Sequence, residues 1–212
     1  YEEIELPLIP IIDAAEERGV LVDVDYLAKL SKEYHTELAG LEKDIWQMAG
    51  REFNIASPKQ LGEVLFDEMK LTVKGLKKTA GGARSTRESE LEKLKEVHPI
   101  VAKILDYREF AKLLNTYIDA IPKLVDAKNR LHSHLNQTGA ATGRMSSQNP
   151  NLQNIPIKTE LGRAIRKAFI AEKGFVLVAL DYSQVELRIA AFLSGDKKLI
   201  EIFTKNLAKT LV

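Results

Sequence analysis

Asp181 is the residue with the clearest chemical potential in this chain. Five apolar residues, Val176 to Leu180, end abruptly at its carboxylate. The length and β-branching of that run predict a buried strand. Val185, Ile189 and Phe192 then recur at three- and four-residue steps, which predicts a helix directly after it. A carboxylate at a strand-to-helix junction can hold a hard cation such as Mg²⁺, which takes oxygen ligands and keeps several waters. Asp is equally a preferred N-cap, so a capping role for Asp181 is the alternative. Glu186 lies five residues on, a poor helical offset for sharing one ion with Asp181.

A second constellation lies upstream. Thr138 to Ser147 contains Gly139 and Gly143 around Arg144, and Gln148 to Pro156 follows. Seven Asn or Gln residues fall between Asn136 and Asn154. Amides both donate and accept. They can meet the N3 and O2 acceptors of the DNA minor groove, which scarcely distinguish one base pair from another. An enzyme that holds any sequence can use that degeneracy; a turn-rich loop that merely favours Asn is the alternative. His132 and His134 share one face of a predicted strand, but no third ligand has zinc-site spacing. They read as structural or as neighbours of nucleic acid. Trp46 sits in an acidic stretch and reads as packing rather than as a base-stacking platform.

These residues need elements to hold them. Residues 1–18 predict a short helix stopped by Gly19. Residues 25–49 predict a long one capped by Asp25 and ended by Gly50. Leu27, Leu30, Tyr34, Leu38, Leu41, Ile45 and Met48 form a seam along it for another helix. Ser57-Pro58 opens a third helix. Ser85 to Glu88 resembles a capping box, and Pro99 begins a helix running to about Val125. Two helices of roughly 25 residues, each about 37 Å long, could pack antiparallel as a stalk. Leu131 to Leu135 predicts a strand, Gly162 to Phe169 a helix passing into a strand, and Asp196 to Phe203 a last helix. A composition shift near residue 128 divides an all-helical part from an α+β part.

Composition narrows the partners. The 212 residues are 45% hydrophobic and 29% charged, an ordinary globular balance. No apolar run approaches the ~20 residues of a membrane span. There is no Cys, which excludes disulfides and thiolate metal sites and fits the cytoplasm. The net charge of +1 hides an asymmetry. Residues 1–69 carry −10, residues 70–134 carry +6 and residues 135–212 carry +5. A polyanion is drawn to the last two-thirds and repelled by the first third.

Asp181-Tyr-Ser-Gln-Val-Glu-Leu-Arg188 closely resembles motif A of the family A, polymerase I type, DNA polymerases. The stretch Thr138 to Pro156 resembles that family's T-x-T-G-R-x-S-S and P-N-L-Q-N-I-P segments. Motif order and spacing agree from Leu6 through Gly195. The resemblance implies that Asp181 is a catalytic metal ligand and that Tyr182 adds its main-chain carbonyl. It places Tyr182, Ser183, Gln184 and Glu186 at the incoming nucleotide, with Glu186 crowding the sugar against a 2′-hydroxyl. Arg144, Ser146, Asn151, Gln153 and Asn154 fall at primer–template DNA. Arg108, Lys112 and Asn115 fall on the thumb where it touches the duplex backbone, and Lys77, Lys78, Thr79 and Ser85 at its flexible tip.

What the resemblance implies about the fold is α+β: a helical thumb of long antiparallel helices over residues 1–128, then part of an antiparallel-sheet palm over 129–212. After Phe203 the sequence departs from the family. The fingers, the rest of the palm with its second metal-binding Asp, and a proofreading exonuclease segment have no counterpart here. With its first residue Tyr rather than Met, the chain reads as a fragment. The expected activity of the complete enzyme is nucleotidyl transfer to a primer 3′-hydroxyl, with deoxynucleoside triphosphates and two Mg²⁺, by a monomer. The alternative for the 212 residues alone is a duplex- or primer–template-binding module without chemistry.

Overall fold

A computed structural model describes residues 1–79 and 81–207, with the side chains of 205–207 left aside. Ala80 of the glycine- and lysine-rich stretch and the divergent end, residues 208–212, lie outside the described residues. Packing divides the chain into two compact units, residues 1–174 and 175–212.

The first unit is built on two helices. Helix α1 spans Glu5–Arg18, and β1, Val20–Leu21, follows it. Helix α2 spans Val24–Ala49. Its cap is Asp23 rather than the expected Asp25: the Asp23 carboxylate accepts the Tyr26 amide at 2.8 Å. Both residues are capping types, and the one with extended backbone and a free N–H three residues on takes the role. Asp23→Ala should cost about 1 kcal/mol of unfolding free energy. Unchanged stability in a urea titration would contradict that assignment.

Helix α3 spans Pro58–Gly62 and continues as a π-helical turn, Glu63–Glu68. Ser57 caps it as expected, accepting from the Gln60 amide. Helix α4 is a single turn, Glu88–Leu91, extended by a 3₁₀ turn to Leu94. The expected capping box does not form. The residue at the cap is Arg87, and the Ser85 hydroxyl accepts from the Arg87 amide two residues on. Helix α5 spans Pro99–Leu113; a π-helical turn, Leu114–Ile118, and a 3₁₀ turn, Ile121–Lys123, carry it on.

Helices α2 and α5 run antiparallel. Asp44 meets Lys103 at 2.6 Å, the Tyr34 and Phe110 rings meet edge-on at 5.0 Å, and Ser31 donates to Asp119 at 2.7 Å. One residue number rises along these pairs as the other falls. The predicted seam is buried at Leu27, Leu30, Tyr34 and Ile45, whereas Met48 at its end is exposed. The same two helices feed two cores. Leu27, Leu30 and Tyr34 join Leu113, Tyr117, Ile118 and Leu131 at one end. Ile45, Ile100 and Ile104 join Leu61, Leu65, Leu91 and Leu94 at the other. Close-packed side chains at both ends make the helix pair a stiff spine.

Residues 129–174 pack into the first of these cores, so the compact division falls at 174 although composition shifts near 128. Strand β2, Arg130–Leu131, pairs antiparallel with β1. Strand β3, His134–Asn136, pairs antiparallel with β4, Ser146–Gln148. The predicted strand from Leu131 to Leu135 is thus broken into two short pieces at His132 and Ser133. Helix α6, Glu160–Arg166, is capped by Thr159. The Tyr26 and Tyr34 hydroxyls donate to its Ala164 and Leu161 carbonyls. Burial pushes the Tyr34 phenol up to about 12, so it remains a donor at neutral pH. Phe169 then bridges to Val22, as a helix passing into strand predicts. The fold is α+β, with small antiparallel sheets beside long helices.

The second unit holds helix α7, Val185–Ser194, and helix α8, Lys197–Leu207. The expected strand before α7 does not form: residues 175–184 are without strand or helix, and Val176 and Leu180 are 79% and 92% exposed. An apolar run becomes a buried strand only between neighbours that accept its backbone hydrogen bonds. No described residue pairs with it. Among the described residues no helix is long and apolar enough to cross a membrane.

Candidate nucleic-acid interface and metal-ligand motif

The motif around Asp181 is built by the turn that opens α7. Gln184 is the cap residue, in left-handed backbone with φ 54° and ψ 39°. That conformation is costly for a residue other than glycine. It reverses the chain between Ser183 and Val185. Asp181 therefore lies three residues before the cap, and the capping role that sequence allowed for it is not taken. Asp181, Tyr182, Ser183 and Gln184 are all exposed. Glu186 stands in the first turn of α7.

Arg188, the last residue of the motif, has a bracing role. Its Nε donates to the Ser183 carbonyl at 2.8 Å, and its guanidinium lies 5.1 Å from the Phe203 ring centre. One side chain thus ties the motif turn to α7 and α8 within this unit. A carboxylate oxygen and a neighbouring main-chain carbonyl are hard donors suited to a divalent cation. Among the described residues no three His, Asp or Glu side chains converge as a metal cluster.

The amide-rich stretch belongs to the first unit and is more fully ordered by its own bonds. Strands β3 and β4 flank the turn carrying Gly139, Gly143 and Arg144. Gly139 permits a close approach: a Cβ there would stand 2.2 Å from the Ser146 hydroxyl oxygen. Arg144 is exposed, Ser146 is half-buried, and Ser147 is buried. Asn151 Oδ1 accepts the Gln153 amide at 2.9 Å, and Gln153 Nε2 donates to the Met145 carbonyl at 2.8 Å. Asn151 thus uses its side-chain oxygen inside the loop, and Gln153 uses one side-chain donor there.

The loop faces α5. Arg108, Lys112, Gln153 and Asn154 line one groove of about 770 Å³. Asn151 and Asn154 line a smaller adjoining cavity of about 140 Å³ together with Thr116 and Tyr117. Residues separated by some 40 positions in sequence thus come together, with Asn115 exposed on the same π-helical turn as Tyr117. Arg108 does two things. It borders the groove, and its guanidinium donates to the Thr86 carbonyl. Burial holds it below the usual arginine value, and it remains a cation at neutral pH. The groove is not uniformly positive: Lys95, Arg108, Lys112 and Lys158 are matched by Glu88, Glu92, Asp106 and Glu109.

Five residues to which the sequence gives no site role support this loop. Arg163 donates to the Lys158 carbonyl at 2.9 Å and Arg166 to the Ile155 carbonyl at 3.1 Å, which explains the basic character of α6. Gly162 lets α6 approach, since a Cβ there would lie 2.5 Å from Pro156 Cβ. Ser147 and Tyr117 hold the loop from beneath. The basic run was visible in the sequence, but its direction toward carbonyls was not.

The two histidines serve the fold. His132 Nδ1 lies 2.7 Å from the Glu16 carbonyl and Nε2 3.4 Å from Asp126. His134 Nδ1 lies 3.1 Å from the Glu16 carboxylate. The Leu135 amide and His134 hold Glu16 below the usual carboxylate range. The bond to the Glu16 carbonyl, helped by Asp126, raises His132. Trp46 is likewise structural, donating to the Phe53 carbonyl at 2.8 Å.

The model of DNA polymerase family A matches residues 24–207 of this chain. The thermostable DNA polymerase I of Thermus thermophilus is 54% identical over 97% of the chain, a match covering 25% of that protein. The DNA polymerase I of Deinococcus radiodurans is 50% identical, over 97% of the chain and 22% of the relative. The solved POL domain of Pol1 from M. smegmatis, in complex with DNA primer-template and dNTP, superposes with a TM-score of 0.85. It is 40% identical and the match covers 95% of this chain and 35% of that one. The chain spans about a quarter of the length of these curated relatives.

Proposed function

This chain belongs to DNA polymerase family A, and from that premise we propose that it is the helical thumb and first part of the palm of an enzyme that extends a primer 3′-hydroxyl on a DNA template. The thumb is residues 1–128, the palm portion 129–212, and the site of action is the cytoplasm. The observation that carries the reading is the groove where Arg108 and Lys112 of α5 face Gln153 and Asn154 of the amide loop. The Arg108 and Lys112 cations, set among Asp106 and Glu109, suit phosphates, which fix position without reading sequence. The Gln153 and Asn154 amides suit the degenerate minor-groove acceptors. The POL domain that this chain resembles was solved with DNA primer-template and dNTP, and those are the partners proposed here.

The residues divide the work. Lys112, Asn115 and Arg108 meet the duplex backbone. Arg144, Ser146, Asn151, Gln153 and Asn154 meet the minor groove near the primer end. Tyr182, Ser183, Gln184 and Glu186 line the place of the incoming deoxynucleotide, with Glu186 excluding a 2′-hydroxyl by bulk. Asp181 and the Tyr182 carbonyl would hold Mg²⁺, which supplies stabilisation of the charge that develops on the transferring phosphate. Arg188 keeps the turn that presents them. The motif contributes one of the carboxylates that a two-ion transfer uses. The 212 residues alone are therefore expected to bind primer–template without incorporating nucleotide.

Arg144→Ala tests the DNA contact. The loss should be on the order of 1–3 kcal/mol in binding free energy, and larger on a primer–template junction than on blunt duplex. Fluorescence anisotropy on both substrates measures it. Equal losses would make Arg144 a simple phosphate contact, and no loss would remove it from the interface.

A further inference from the structure

Resting on the DNA-gripping reading of the amide loop, we propose that Tyr117 and Ser147 are positioning residues that clamp the loop 151–154 at its two ends and aim its amides at the duplex. Neither touches DNA in this account. Tyr117 lies in the π-helical turn after α5, its ring buried and 6% exposed. Its hydroxyl donates to the main-chain carbonyl of Asn154. Ser147 lies on β4 and is 3% exposed. Its hydroxyl oxygen accepts the Leu152 amide at 3.0 Å and meets the Ser133 hydroxyl at 2.7 Å. Ser133 in turn donates to the Pro150 carbonyl at 2.8 Å.

The clamp has a physical rationale. Residues 151–154 form neither helix nor strand, so their backbone groups need partners from elsewhere. Buried hydroxyls supply partners at Pro150, Leu152 and Asn154, on both sides of Gln153. Each fixes a peptide plane, and a peptide plane fixes the direction of the side chains beside it. Burial raises the Tyr117 phenol, which keeps it a donor across the neutral range. A loop that grips any sequence gains most from being ordered beforehand, because ordering it during binding would cost affinity.

Tyr117→Phe removes one oxygen and leaves the ring in its pocket; Ser147→Ala does the same for the other anchor. Two measurements on the 212-residue chain test the proposal. Amide hydrogen exchange should rise over residues 151–155 in each variant. The dissociation constant for a primer–template should rise about threefold to tenfold, the range expected for losing one hydrogen bond. In an Asn154→Ala background, Tyr117→Phe should weaken DNA binding by less than twofold, because the amide it aims is gone. The same loss in both backgrounds would overturn the positioning role in favour of a structural one. Faster loop exchange with unchanged DNA affinity, while Arg144→Ala still weakens binding, would also overturn it and leave the DNA reading standing. If Arg144→Ala and Asn154→Ala both leave affinity unchanged, the DNA reading fails and the inference with it.

Discussion

Asp181→Asn should abolish nucleotide incorporation when this chain is joined to the fingers and remaining palm of a relative such as the T. thermophilus enzyme. Asn keeps the size of the side chain and one oxygen but lacks the charge that offsets a divalent ion. A two-ion transfer places its ions about 3.5–4 Å apart, so each carboxylate counters strong mutual repulsion. Loss of one should lower kcat on the order of 10²–10³-fold, comparable with removal of a main electrostatic group elsewhere. Single-turnover primer extension with Mg²⁺ is the measurement. DNA affinity should change little, because the groove proposed for the duplex is lined by residues between Glu88 and Thr159 and not by Asp181. Retained incorporation in Asp181→Asn would take Asp181 out of the mechanism.

Glu186→Ala in the same joined enzyme should behave differently. Deoxynucleotides should be incorporated at nearly the original rate, and ribonucleotides should enter more readily. Glu186 is five residues beyond Asp181 and lies inside α7, past the left-handed turn at Gln184. A metal ligand and a steric gate at such close positions separate cleanly by this contrast. Equal loss of both nucleotide types would make Glu186 a ligand or a structural residue.

The sequence carried the long elements well and the junctions poorly. The seam from Leu27 to Ile45 is a repeated signal over 26 residues of helix, and its partner in α5 follows from the same periodicity. Asp23 and Asp25 both suit the cap by type, so sequence alone misplaces it by two residues. Periodicity predicts one rod from Pro99 to about Val125, yet α5 passes into a π-helical turn at Leu114. No local pattern marks that turn. It is also the turn that directs Tyr117 beneath the amide loop, which is why the clamp was invisible.

The site itself was legible only as a string. Asp181, Arg144 and the amides are named by their resemblance to a motif. Their spacing alone allowed a cap and an Asn-rich turn. The structure removes the cap reading by placing Gln184 there. It brings Arg108 and Lys112 to Gln153 and Asn154, a meeting that depends on α2 and α5 packing first. The expected strand at Val176 to Leu180 fails for the opposite reason: its apolar character is plain, but a strand is a property of a ladder. Charge was legible in total and not in place: exposed Lys112 and Lys158 share the groove with acids, whereas exposed Arg144 and Lys167 do not line it.

Those exposed cations decide whether residues 1–174 hold primer–template DNA without regard to sequence. Each phosphate neutralised releases counterions, and log affinity falls by about 0.9 per contact for each tenfold rise in salt. About four contacts would lower affinity on the order of a hundredfold between roughly 50 and 200 mM salt. The acidic first third, at −10, steers the polyanion toward the remainder without adding contacts. The decisive measurement is the dissociation constant of the 212-residue chain for two primer–templates of unrelated sequence across that salt range. Nearly equal affinities on the two sequences and the same steep salt dependence on both are expected. A strong preference for one sequence, or an affinity indifferent to salt, would contradict that expectation.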